Sequence, residues 1–248
     1  SNEYLVKARL RTTFYDQPNR FAETREHFES ALNAVRTPSA IFGYALFLEN
    51  HNEFKRAMPL YEEALRIYRE LAEENPRTYL PYVAGTLNNL AILQSAQNNY
   101  ELAAQSNEEA LLIRRELAEK NPRTYLPDVA MTLNNLAILQ SGQNNNELAT
   151  LSYEEALSIY RELAEENPRT YLPDVAETLV NLSIFYLQAK PDKAKLLALV
   201  EEMMAIELAE EVIAISQDFP NVPAVQQYAD IVGRLLQMNK GGKENGET

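Results

Sequence analysis

One unit is written twice in the middle of this chain, and the duplication limits what the chain can fold into. The run Tyr79-Leu-Pro-Tyr-Val-Ala-Gly-Thr-Leu-Asn-Asn-Leu-Ala-Ile-Leu-Gln94 returns as Tyr125-Leu-Pro-Asp-Val-Ala-Met-Thr-Leu-Asn-Asn-Leu-Ala-Ile-Leu-Gln140, 46 positions on. It opens a third time at Tyr171-Leu-Pro-Asp-Val-Ala-Glu-Thr-Leu, at the same interval. Roughly three quarters of the positions agree between the first two copies, and a fixed period of this length marks a repeat array.

Each copy reads as two helices. Thr37-Pro38 is a start signal, a capping hydroxyl followed by proline. Residues 39–50 form a short apolar helix, and Asn50-His-Asn52 a turn. Residues 53–74 form a long helix whose stripe Phe54, Ala57, Tyr61, Ala64, Leu65, Tyr68, Leu71 and Ala72 keeps a spacing of three and four. Its other side predicts ion pairs of Glu62 with Arg66 and Arg69 with Glu73. Asn75-Pro-Arg-Thr78, repeated at 121–124 and 167–170, is expected to close each long helix, with the next restarting at Pro81, Pro127 or Pro173. Connections this short fold every helix back antiparallel on its predecessor.

The expected organisation is one helical-repeat domain over residues 1–240. It comprises a degenerate N-terminal pair at 3–36 (helices 3–15 and 20–35), repeats at about 37–78, 79–124, 125–170 and 171–217, and a capping helix at 222–239. Residues 241–248 read as a polar tail. The second helix of the last repeat, 191–216, departs from the register of the earlier ones.

Composition excludes several classes of chemistry. There is no cysteine, hence neither disulfide nor thiolate. The histidines are His27 and His51, and neither has a second ligand at metal spacing. No phosphate-binding glycine loop and no nucleophile elbow occurs. Carboxylate pairs such as Glu62-Glu63 and Glu108-Glu109 fall on the polar side of long helices, where solvation rather than acid–base catalysis explains them. No catalytic residue, metal or cofactor is expected. A net charge of −13 disfavours nucleic acid and anionic membranes. No window approaches the roughly 18 apolar residues of a membrane span. Ser1-Asn2 reads as a scar left by removal of an upstream segment, such as a targeting sequence, and the expected location is cytoplasmic.

The small residues carry a resemblance. Ala45, Ala91 and Ala137 lie near the middle of the first helices, with Ser183 in the fourth. Ala57, Ala103 and Ala149 follow, then Ala64, Ala110 and Ala156, with Tyr61, Asn107 and Tyr153 between. Ile41, Leu87, Leu133 and Leu179 lead the first helices. The pattern resembles the tetratricopeptide repeat, whose minimal unit is about 34 residues. The longer unit and the Leu-Asn-Asn-Leu-Ala run look like the kinesin light chain type. The match is good over 38–170, partial over 171–216 and weak before 38. The glycine usual beside the leading leucine is alanine here, and the usual tyrosine of the first helix is Gln94 or Gln140. The resemblance implies an all-α, right-handed superhelical solenoid of antiparallel helix pairs. The first helices would line its concave side and bind protein segments.

With Leu87, Leu90, Ala91 and Gln94 turned to the core, about 100° per residue puts Asn89 and Ile92 on the opposite face, flanked by Asn88. The next copies give Asn135 and Ile138, flanked by Asn134, then Asn181 and Ile184. The first copy gives Ser39, Gly43, Leu46 and Asn50. Carboxamides suit the backbone of a bound segment, and the apolar side chains suit its hydrophobic anchors. The expected groove is therefore Leu46, Asn88, Asn89, Ile92, Asn134, Asn135, Ile138, Asn181 and Ile184. No Lys or Arg lies in 38–50, 81–96, 127–142 or 173–188, so a C-terminal carboxylate would meet no cation there. The function expected is a scaffold that recruits a neutral or basic protein or peptide segment, itself a monomer or weak homo-oligomer. Competing readings are a self-associating structural or assembly protein and a peptide-sensing regulator.

Overall fold

A computed structural model describes residues 20–205. Among them run nine helices and no strand: α1 (Arg20–Ala34), α2 (Pro38–Glu49), α3 (Phe54–Glu74), α4 (Pro76–Ala96), α5 (Tyr100–Lys120), α6 (Pro122–Gly142), α7 (Asn146–Glu166), α8 (Pro168–Gln188) and α9 (Lys193–Ala205). The helix expected at 3–15, the capping helix at 222–239 and the tail lie outside the described residues, as does the end of the helix expected at 191–216. The chain divides into two compact units, Ser1–Leu117 and Ala118–Thr248.

The repeat length is accounted for by two 21-residue helices, a three-residue turn and a single intervening asparagine. The turn is built on asparagine. Asn52, Asn98 and Asn144 hold φ of 59°, 63° and 61°, the left-handed conformation that asparagine tolerates better than other side-chain-bearing residues. The next amide reaches five residues back in each case: Glu53 to Leu48 at 2.9 Å, Asn99 to Gln94 at 2.8 Å and Asn145 to Gln140 at 2.8 Å. This closes each first helix by satisfying a carbonyl that would otherwise lack a partner.

The joint between repeats is tighter than the sequence suggests. The first helices start at Pro76, Pro122 and Pro168, five residues before the expected restart. Asn75, with φ −140° and ψ 75°, is the whole joint, and its side chain accepts from the Thr78 amide at 3.3 Å. Proline at the first helical position lacks only an amide that has no intrahelical partner there. Pro81, Pro127 and Pro173 consequently lie inside helices, each at the sixth residue, as Pro59 does in α3.

Contacts at both ends of a helix pair fix its direction. Tyr61 meets Asn89, and Tyr68 stacks on Tyr82 with centroids 5.1 Å apart, so α3 and α4 run antiparallel. Ser152 meets Gln140 near one end of α6–α7, and Tyr160 meets Pro127 near the other. Phe28 stacks on Tyr44 and Phe21 on Phe47, which sets α1 against α2 the same way. The expected small residues occupy the close approaches: Ala45, Ala57 and Ala64 in the first unit, Ala137, Ala149 and Ala156 in the second, all fully buried. Tyr61 fills the space between Ala57 and Ala64 and is itself fully buried, edge-on to Phe42 at 5.3 Å.

The charged sides differ in detail from expectation. Arg66 pairs with Glu70 at 2.7 Å, and Arg69 reaches across to Glu109 on α5 at 2.6 Å instead of Glu73. No helix among the described residues is long and apolar enough to cross a membrane.

Candidate functional site

α4 is held on two sides, which leaves a narrow strip open. On α4, Leu87, Leu90, Ala91 and Leu93 are buried. Its Asn89 touches α3 through Tyr61, and its Gln94 accepts from Ser106 of α5 at 2.9 Å. Its open apolar side chains are Tyr82 and, 45% exposed, Ile92, with Asn89 half-buried beside Ile92. Asn88, expected on the flank of the groove, is only 6% exposed, and its counterpart Asn134 only 7%. Both belong to the interior, because a helix with two packed flanks covers residues one step off the open strip. The first helices also gain an arginine in the first turn by starting early, Arg77 and Arg123 among them. Arg123 pairs with Glu166 at 2.9 Å, and Arg77 is exposed.

In the first unit, α2 presents the residues expected opposite its core. Ser39, Gly43, Leu46 and Asn50 all line one recess of about 350 Å³, together with aromatic side chains that include Phe42, Tyr68 and Tyr82. Leu46 is 39% exposed at this surface. Beside it runs a polar chain that crosses three helices. Asn89 Nδ2 donates to Tyr61 Oη at 3.1 Å, and Tyr61 Oη donates to Glu49 Oε2. Burial raises the Glu49 carboxyl above its usual range, and the hydrogen bond from Tyr61 pulls it partway back. Burial also pushes the Tyr61 phenol up, and the adjoining Glu49 adds to the shift.

In the second unit, Ile138 is 48% exposed, with Asn135, Asn181 and Ile184 half-buried. Ile138, Asn181 and Ile184 converge on a recess of about 220 Å³, which Ser141, Tyr153 and Gln188 also line. The structure thus brings together three of the predicted residues here and Leu46 with its expected neighbours in the first unit. Sequence reasoning missed the hydrogen bond that ties Glu49 to the buried Tyr61 and, through it, to Asn89. Their link depends on register across three helices, which no local pattern encodes.

His51 sits in the α2–α3 turn, its Nδ1 2.7 Å from the Phe47 carbonyl and its ring against Phe21 and Phe47. That is a packing role. Among the described residues no group of three or more His, Cys, Asp or Glu is placed to hold a metal ion.

Comparison with known proteins agrees with this architecture. A tetratricopeptide repeat family model matches residues 45–77, 83–123 and 129–169. Among solved structures, BtubC (BKLC) from P. vanneervenii is 24% identical, with a TM-score of 0.57 over 100% of this chain and 90% of that one. A Podosopora anserina putative kinesin light chain with nearly identical TPR-like repeats is 17% identical, with a TM-score of 0.58 over 85% of this chain and 95% of that one. The apo form of RapI is 17% identical, with a TM-score of 0.50 over 90% of this chain and 77% of that one. These likenesses speak to the fold. No curated protein matches the sequence significantly.

Proposed function

Because the chain belongs to the tetratricopeptide repeat family, we propose that it recruits a protein segment through the open strips of its first helices. Repeats of this kind are typically non-catalytic scaffolds for protein–protein contact. The observation that carries the finer reading is the convergence of Ile138, Asn181 and Ile184 on one recess. Two branched apolar side chains and a carboxamide offer what an extended or helical segment needs: an apolar seat and a group that both donates and accepts. Exposed apolar groups gathered in one place mark contact surfaces more often than isolated ones do. In the first unit, Leu46 with Ser39 and Asn50 offers the same combination.

Selection of phage-displayed random peptides on the full chain tests this. Peptides with apolar anchors should be enriched, and Ile138→Glu combined with Ile184→Glu should abolish retention of a large share of them at unchanged helix content. Failure to enrich any peptide refutes the proposal. So does retention that ignores both this pair and Leu46→Glu.

A further inference from the structure

The two binding strips share a register but not a charge. Five of the residues that line the second-unit recess are Ile138, Ser141, Tyr153, Asn181 and Ile184. Two repeats earlier in the sequence, the same positions are Leu46, Glu49, Tyr61, Asn89 and Ile92. The phenol and the carboxamide recur, and the apolar members stay apolar. The serine alone becomes a carboxylate.

We propose that Glu49 anchors a lysine or arginine side chain of a bound protein segment whose neighbouring apolar residue packs on Leu46. The inference rests on reading these strips as peptide-binding, and it names the chemistry of the partner.

Glu49 is held ready for that task. Tyr61, fully buried, donates to Oε2, and Asn89 in turn donates to Tyr61, so the carboxylate is braced from two further helices. Among the described residues no Lys, Arg or His forms an ion pair with it; Arg36 in the joint before α2 and Arg56, Arg66 and Arg69 on α3 are each committed to another glutamate. Glu49 is the sole charged residue on α2, and Arg77 the sole one on α4. Arg77 precedes Asn89 by twelve residues, about 18 Å along the helix. Phe42, Leu46 and Glu49 follow one another at helical spacing along one face of α2; Phe42 and Leu46 line the recess, and Glu49 stands one turn beyond Leu46.

Burial lifts the Glu49 carboxyl above its usual range, as expected of a partly desolvated charge with no ion-pair partner among the described residues. A half-buried carboxylate in that state gains more from an arriving cation than an exposed one, because low local polarity strengthens the attraction. A carboxylate also accepts a guanidinium or ammonium directly, whereas the serine hydroxyl at position 141 offers no charge. The first-unit strip is therefore selective for basic segments, and the second takes neutral ones.

The test uses an array of random synthetic peptides graded in lysine and arginine content and matched in apolar content. The full chain is compared with Glu49→Gln, which keeps an oxygen to accept from Tyr61. The wild type should retain basic peptides preferentially. Glu49→Gln should weaken these by about tenfold and remove their salt dependence, while peptides lost by the Ile138→Glu, Ile184→Glu variant stay unaffected by it. Equal retention of basic peptides by Glu49→Gln overturns the inference, as does a wild type without preference for them. In either case, binding that still depends on Ile138 and Ile184 leaves the peptide-binding reading standing. An array on which nothing is retained refutes both.

Discussion

Replacing Tyr61 with phenylalanine removes one oxygen from the centre of the molecule's first unit and leaves its packing in place. The ring is fully buried and stacks edge-on against Phe42, a contact that phenylalanine preserves. The lost hydroxyl makes two hydrogen bonds, one donated to the Glu49 carboxylate and one accepted from Asn89 at 3.1 Å. A hydrogen bond to a charged group contributes about 1.5–3 kcal/mol and a neutral one about 0.5–1.5 kcal/mol. Half-burial of Glu49 and Asn89 lets water recover part of this, so Tyr61→Phe should cost about 2–3 kcal/mol. In a Glu49→Gln background both bonds are neutral, and the same change should cost about 1–2 kcal/mol. The difference, about 1 kcal/mol, is the coupling that a double-mutant cycle isolates. Urea denaturation at pH 7, followed by circular dichroism, supplies all four stabilities. A single-mutant cost below about 0.5 kcal/mol, or equal costs in the two backgrounds, would refute the three-helix chain and with it the bracing of Glu49.

The pH dependence of Glu49 has a definite sign. Its folded carboxyl lies above the ordinary value of 4.5, so its contribution to stability is present below that value and is lost as pH rises through the folded one. Glu49→Gln should therefore be more stable than the wild type at pH 7 and converge with it in acid; urea midpoints across pH 3–8 check this, and a variant less stable at neutral pH refutes it. Leu179 is fully buried in α8, and Leu179→Ala should cost about 2.7–5 kcal/mol, read from the same urea curves. Asn98 holds φ 63°, so Asn98→Val should cost about 1–2 kcal/mol, while Asn98→Gly stays close to the wild type. Thermal melts of the pair distinguish the backbone effect from a lost side-chain contact.

Periodicity alone was enough to read the paired antiparallel helices, because the 46-residue repeat and the three-and-four spacing of Ala57, Tyr61 and Ala64 are local signals. The asparagine–proline joint was harder. Proline both ends one helix and opens the next, so Asn75-Pro76 reads as a linker until the structure shows a single residue between two helices. Burial of Asn88 and Asn134 was also beyond local pattern. Helical phase separates Asn88 from Asn89 by only about 100°, and the coverage of that sector depends on the neighbouring helices. Arg69 has Glu73 within reach on its own helix, yet it bonds Glu109 on the next, a choice that sequence spacing does not register.

The repeat separates what must stay fixed from what can vary. The turn asparagine at 52, 98 and 144 and the buried alanines recur because backbone geometry and close helix approach demand them. The position of Glu49 obeys no such demand, and along the repeats it becomes Ser95, Ser141 and Leu187. A carboxylate, two hydroxyls and an apolar chain thus occupy one place at the end of a first helix without altering the helix that carries them. If binding is read at that place, exchange of the side chains between repeats should move the preference with the residue. Glu49→Ser together with Ser141→Glu should transfer retention of basic peptides from variants sensitive at Leu46 to variants sensitive at Ile138. A preference that stays with Leu46 after the exchange would mean that some other feature of the first unit sets it.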